Sequence, residues 1–124
     1  MILVDTSVWV DHLRKELLLL AEMLTREQVL VHPFVIGELA LGSIRQRRIF
    51  LKRLALLPAA QVAHADEVLA LIEANGLHAS GIGYVDAHLV ASVRMTLDTQ
   101  LWTHDQRLAA VANQLGVAFR PHDA

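Results

Sequence analysis

The stretch that most constrains this chain is Ile2-Leu3-Val4-Asp5-Thr6-Ser7, where an aliphatic, partly β-branched run stops at a carboxylate followed by two hydroxyls. An apolar run this short and unbroken fits a strand covered on both faces, as in a parallel sheet. Val8-Trp9-Val10 then restarts apolar character at helical spacing. Open α/β sheets bind ligands just beyond the carboxyl ends of their strands, so Asp5 falls where such a fold does its chemistry. The same residue also suits the N-cap of the next helix, a position that Asp, Ser and Thr commonly fill. Taken alone, the segment leaves the two roles level.

The rest of the chain continues the alternation. Apolar spacing predicts helices over 7–13 and 16–25 and a strand over 29–31 closed by His32-Pro33. Pro33 suits the first turn of a helix over 33–42. Glu38 is the only charged residue between Pro33 and Ile44. A helix apolar nearly all round is a buried helix, and a carboxylate inside one must be paired, protonated or bound to a cation. A helix over 45–57 ends at Pro58, a weak strand covers 60–63, and a helix over 65–75 stops at Asn75-Gly76. The loop 77–83 carries glycines without the spacing of a dinucleotide-binding turn.

A helix over 84–97 places Asp86 in its first turn. Positions 86, 90, 93 and 97 share one face, so Asp86 heads an inward stripe of Val90, Val93 and Leu97. The helix dipole explains an acid in that turn but not its inward side. A strand over 100–103 runs into His104-Asp105 much as the first runs into Asp5. By itself, Asp105 reads best as the cap of a helix over 106–115, and 117–119 forms a closing edge strand. Strands alternating with helices imply a parallel-type sheet with right-handed crossovers.

Composition narrows the function classes. With 54% hydrophobic and 19% charged residues in 124 positions, the chain suits a single folded domain over 1–124 with an aliphatic core. It has no cysteine, which removes disulfides and thiolate metal sites. Apolar runs such as 17–21 fall far short of the roughly 18 residues of a membrane span, and the start lacks a signal-peptide pattern. We therefore expect a soluble cytoplasmic protein. The formal charge of -2 advertises no global attraction to nucleic acid, yet Arg45, Arg47, Arg48, Lys52 and Arg53 cluster without an intervening acid. Such a run is ordinarily a solvated helix face, and it also suits contact with phosphates.

Asp5, Glu38, Asp86 and Asp105 share something that their separate bland explanations do not predict. If the strand ends lie on one edge, all of them can meet in one place. Packed together they repel, and some pKa values rise; a divalent cation removes the conflict. Oxygen-only ligands, without cysteine or suitably spaced histidines, select Mg²⁺ or Mn²⁺ over zinc. Phosphodiester hydrolysis is the natural reaction of such a site. Thr6, Ser7 and Thr103 either orient the carboxylates and metal waters or make ordinary turn hydrogen bonds.

The segments Ile2-Leu3-Val4-Asp5-Thr6-Ser7-Val8-Trp9, Gly83-Tyr84-Val85-Asp86-Ala87-His88-Leu89-Val90-Ala91 and Leu101-Trp102-Thr103-His104-Asp105-Gln106-Arg107-Leu108, with the isolated Glu38, together resemble PIN-domain ribonucleases. Their size and order resemble the VapC toxins of bacterial toxin–antitoxin pairs, over essentially the whole chain. The resemblance implies a three-layer α/β/α sandwich with a short, mostly parallel sheet, and an endoribonuclease that uses Mg²⁺, with Mn²⁺ as a substitute. It implies Asp5 and Asp86 as direct metal ligands, Glu38 completing the inner or outer ligand set, and Asp105 binding the metal or positioning its water. It further implies a cytoplasmic homodimer, neutralised by a VapB-like antitoxin whose C-terminal segment lies over the active site. Gln106 and Arg107 stand where the family often carries another Asp or Asn, so a second metal is not implied.

Three rival readings remain at this stage. In an aspartyl-phosphate phosphatase Asp5 would be the nucleophile, although that chemistry usually wants an Asp two residues later, where Ser7 stands. Metal-free RNA cleavage would use His12, His88 or His104, for which surface or structural roles are the simpler assignment. An RNA-binding module without turnover would keep the fold and lose the acids, yet every one is present.

Overall fold

Burial on both faces dictates the aliphatic opening run: Leu3 and Val4 are wholly inaccessible to solvent. In the computed structural model, which describes residues 1–121, β1 (Ile2–Val4) lies between β2 (Val29–Leu30) and β3 (Gln100–Trp102). Both pairings are parallel, with Ile2 opposite Val29 and Gln100 and Val4 opposite Trp102. A central parallel strand has no solvent face, so nothing polar interrupts it before Asp5.

Among the described residues, seven helices flank this sheet in an α/β/α arrangement: α1 (Thr6–Arg14), α2 (Leu18–Thr25), α3 (Pro33–Ala40), α4 (Arg47–Leu54), α5 (Ala65–Ala74), α6 (Tyr84–Met95) and α7 (Gln106–Gln114). Val8, Leu20, Val35, Leu54, Leu89, Val90 and Leu108 close on the strands in one aliphatic core. A smaller cluster of Ala63, Val68, Ala87 and Ala91 joins α5 to α6.

The two expected outer strands shrink to single bridges, Val31 with Ala59 and Leu101 with Ala118. On one side the N–H of Gln61 goes to Thr96 Oγ1 at 3.1 Å instead of a strand partner; on the other, Pro121 has no N–H with which to extend the pairing. Several helices are also shorter than their apolar spacing suggests, α4 and α6 for visible reasons. Gln46 adopts a left-handed conformation (φ 51°), which starts α4 at Arg47. Thr96 is extended and ends α6 at Met95, so Leu97, expected on the inward stripe below Asp86, is 85% exposed. That stripe consists of Val90 and Val93.

His32 ties the layers together and was not distinguishable in sequence. Its side chain is fully buried. Nδ1 accepts the N–H of Phe34 at 3.0 Å, capping α3, which leaves the proton on Nε2 to donate to Ser92 Oγ of α6 at 3.0 Å. Burial, with a smaller contribution from His88, pushes its pKa down to about 4. Below about pH 6.5 the unfolded chain therefore takes up a proton that the folded chain refuses, and stability is lost as pH falls from 6.5 toward 4. The full difference is on the order of 3 kcal/mol. Urea titrations between pH 7 and pH 4.5 should show this loss. His32→Asn, which caps but does not titrate, should be less stable at pH 7 and flatter across that window.

Candidate active site

Asp5 follows the last residue of the central strand, and its N–H still donates to Trp102 O at 2.9 Å. It occupies the N-cap position of α1, yet its carboxylate makes no capping hydrogen bond. Instead Oδ2 accepts Ser7 Oγ and Thr103 Oγ1, each at 2.7 Å, in a setting only 5% exposed. Both hydroxyl protons are thereby committed. The hydroxyl oxygens in turn accept backbone N–H groups, Ser7 from His104 and Thr103 from Asp105, each at 3.0 Å. Two amides are thus relayed through two hydroxyls onto one carboxylate oxygen, which polarises each link. Ser7 and Thr103, 3.2 Å apart, are neighbours without a proton to share.

Asp105 does cap its helix: Oδ1 accepts the N–H groups of Arg107 and Leu108 at 2.9 and 3.0 Å. Glu38 lies on an exposed side of α3, not inside a buried helix as its surroundings in sequence suggest. Only Val35 and Leu39 of α3 are buried; Pro33, Gly37 and Glu38 form the open side. The carboxylate is held by Thr6 Oγ1, which donates to Oε1 at 2.6 Å. Asp86, half-buried in the first turn of α6, accepts the N–H of Gly83 on Oδ2 at 3.1 Å.

These acids converge. The pKa of Asp86 is raised, first by burial, against the lowering effect of the Gly83 N–H, and then by the charges of Asp5, Asp105 and Glu38. A common pattern runs through the group. Asp5 is bonded through Oδ2, Glu38 through Oε1, Asp86 through Oδ2 and Asp105 through Oδ1. The other oxygen of each accepts no hydrogen bond among the described residues. As the side chains stand, no three acidic or histidine groups among the described residues close to coordinating distance on one point. The donor set nevertheless suits a hard cation: it is all oxygen, mutually repelling, and has one oxygen of each carboxylate unused.

His12 and His104 are engaged elsewhere, and His88 packs in the core with its Nδ1 unpartnered among the described residues. His12 Nδ1 accepts the N–H of Leu17 at 3.0 Å, and burial lowers its pKa, with Glu16 opposing. His88 is buried with its ring against Phe34 and Tyr84, at centroid distances of 4.6 and 4.7 Å, and its pKa is lowered by burial. Its role is structural. His104 Nδ1 lies 2.5 Å from Asp11 Oδ2, a pairing that nothing in the sequence pointed to. The Ser7 hydroxyl, the only candidate acid at the phosphatase position, is spent on Asp5.

The sequence profile of the PIN domain matches residues 2–114. The chain belongs to the PIN-domain family. Ribonuclease VapC32 of Mycobacterium tuberculosis, from strain CDC 1551 / Oshkosh and from strain ATCC 25618 / H37Rv, is 48% identical to this PIN domain over 119 residues, which is 96% of each chain. The family resemblance carried by the sequence segments is therefore borne out along nearly the whole length.

Crowded carboxylates in this PIN domain make a prediction about the metal-free protein. Asp86→Asn keeps an acceptor for Gly83 and removes one charge, so it should raise stability in chelator at pH 7. Because the folded-state pKa of Asp86 is raised, the repulsion is felt above that pKa and relieved below it. The gain should vanish in acid, and melting curves at both pH values check it.

Proposed function

We propose that this PIN domain is a Mg²⁺-dependent endoribonuclease, the toxin of a VapBC-type toxin–antitoxin pair, and that Mn²⁺ can replace Mg²⁺. The observation that carries the reading is the convergence of Asp5, Glu38, Asp86 and Asp105, each anchored through one oxygen. Near-complete coverage by proteins named as ribonucleases supports the substrate class. The cluster is open, with Glu38 and Asp105 exposed, and an open acidic surface suits a polymer passing across it.

Asp5 and Asp86 would hold the ion directly, Glu38 would complete the set, and Asp105 would bind it or orient its water. When bound, Mg²⁺ supplies Lewis acidity at the scissile phosphate and a water made acidic enough to attack. The chain's own contribution is alignment. Ser7 and Thr103 fix the rotamer of Asp5 through hydroxyls that are themselves held by backbone N–H groups, and Thr6 aims Glu38. Rigid ligands of this kind keep charge where it is needed at no reorganisation cost. Among the described residues, no helix is long and apolar enough to cross a membrane. Cytoplasmic location, a homodimer and a VapB-like antitoxin over the acids complete the reading, on the strength of the family.

Incubation with RNA and Mg²⁺ should give cleavage that chelator stops, with products lacking a 2',3'-cyclic phosphate. Asp5→Asn should cut at least about a hundredfold more slowly. Mg²⁺ should raise the melting temperature of the parent by preferential binding to the folded state, and do so far less for Asp5→Asn. Undiminished cleavage in chelator would overturn the reading.

A further inference from the structure

We propose that Arg107 is a phosphate-binding residue for the RNA strand, seated on Gly81 at the rim of the carboxylate cluster. Gly81 has φ +88°, and a Cβ built there would lie 2.7 Å from Arg107 Cδ and 3.2 Å from its Nε and Nη1. The arginine stem and head therefore lie against a bare backbone face that no other residue would leave open. Both sides of this seat are fastened to the acids. Gly83, two residues beyond Gly81, donates its N–H to Asp86, and the N–H of Arg107 itself is bound by Asp105.

Nothing among the described residues uses the charge so placed. Among the described residues the ion pairs are Arg26 with Glu22 and His104 with Asp11, and the guanidinium of Arg107 donates no hydrogen bond. Its side chain is exposed. Helix stability does not explain it either, because a cation in the first turn of α7 faces the positive end of the helix dipole. Nor does it neutralise the cluster, since the influences on Asp86 include three carboxylates and no cation. A planar guanidinium with free N–H groups matches a phosphate through two parallel hydrogen bonds. A polyanion drawn toward a group of carboxylates needs a cation at their edge. The inference rests on the ribonuclease reading for the identity of the strand.

The test separates binding from cutting. Binding of a fluorescein-labelled single-stranded oligoribonucleotide of mixed sequence is measured by anisotropy in chelator, across a salt series. Arg107→Ala should bind about tenfold more weakly, with a log–log salt slope shallower by about 0.7. Arg107→Lys should restore the slope and only part of the affinity. In Mg²⁺ the alanine variant should show a raised KM with little change in kcat, its thermal melt being unchanged. Gly81→Ala should weaken binding in the parent and add nothing in the Arg107→Ala background. Equal binding and equal slope for parent and Arg107→Ala would overturn the proposal, whatever the variant does to a protein partner. Equal losses from Gly81→Ala in both backgrounds would overturn the seat. A parent that cuts RNA but binds it indifferently to Arg107 leaves the ribonuclease reading standing and this one fallen. A parent that binds through Arg107 yet cuts nothing does the reverse, and a parent that does neither removes both.

Discussion

A carboxylate buried at the end of the central strand is the constraint on which the rest of the structure depends. Left without partners, a carboxylate at 5% exposure would cost several kcal/mol, a large part of the stability of a domain this size. Its remedy comes from both sides of the chain: Ser7 from the start of α1 and Thr103 from the end of β3. They meet only because β1 and β3 pair with Val4 opposite Trp102. A slip of one residue in that register would turn every side chain of the strand to the other face and leave the carboxylate without partners. Sheet register and site geometry are thus a single specification.

The arrangement also dissolves the contest between capping and chemistry. Asp5 sits at a cap position and does not cap. Asp105 does cap, but through Oδ1 alone, which leaves Oδ2 for another partner. A one-oxygen anchor fixes a carboxylate's direction without exhausting its capacity, and the same economy recurs at Glu38 and Asp86. The cost is electrostatic: Asp86 carries the repulsion of its neighbours as a raised pKa. Such local strain is the usual mark of a site kept for function at the expense of stability.

What the sequence disclosed follows from the range of the interactions involved. Strand-end acids were readable because a short aliphatic run stopping at Asp is a local pattern, and the parallel sheet followed from alternation. The solitude of Glu38 was also local, but its burial was not. An apolar helix at the open edge of a sheet keeps one side in solvent whatever its composition, so α3 exposes Pro33, Gly37 and Glu38. Leu97 kept the helical spacing of α6 after Thr96 had left the helix. His32 with Ser92, and Gly81 with Arg107, join positions whose pairing has no signature in periodicity. Such contacts exist only once the layers have packed.

A protein of net charge -2 that gathers four carboxylates in one place must still accept a polyanion if the proposed function holds. Basic residues elsewhere do not solve this alone. Arg48, Lys52 and Arg53 are exposed on α4, and Arg47 is committed to Ala40 O at 2.8 Å. Exposed charges act over only about 8 Å at physiological ionic strength. The sign of the potential at a reacting phosphate would therefore be set locally, by the acids, by any cation they held and by whatever arginine lies at their rim. Under the proposed function a divalent ion would cancel half of the cluster's charge, so RNA would bind the loaded site more tightly than the empty one. By linkage, bound RNA must raise the affinity for the ion by the same factor. Four carboxylates with no cation of their own are then an arrangement that couples metal and substrate. A pre-neutralised site would bind either one without regard to the other.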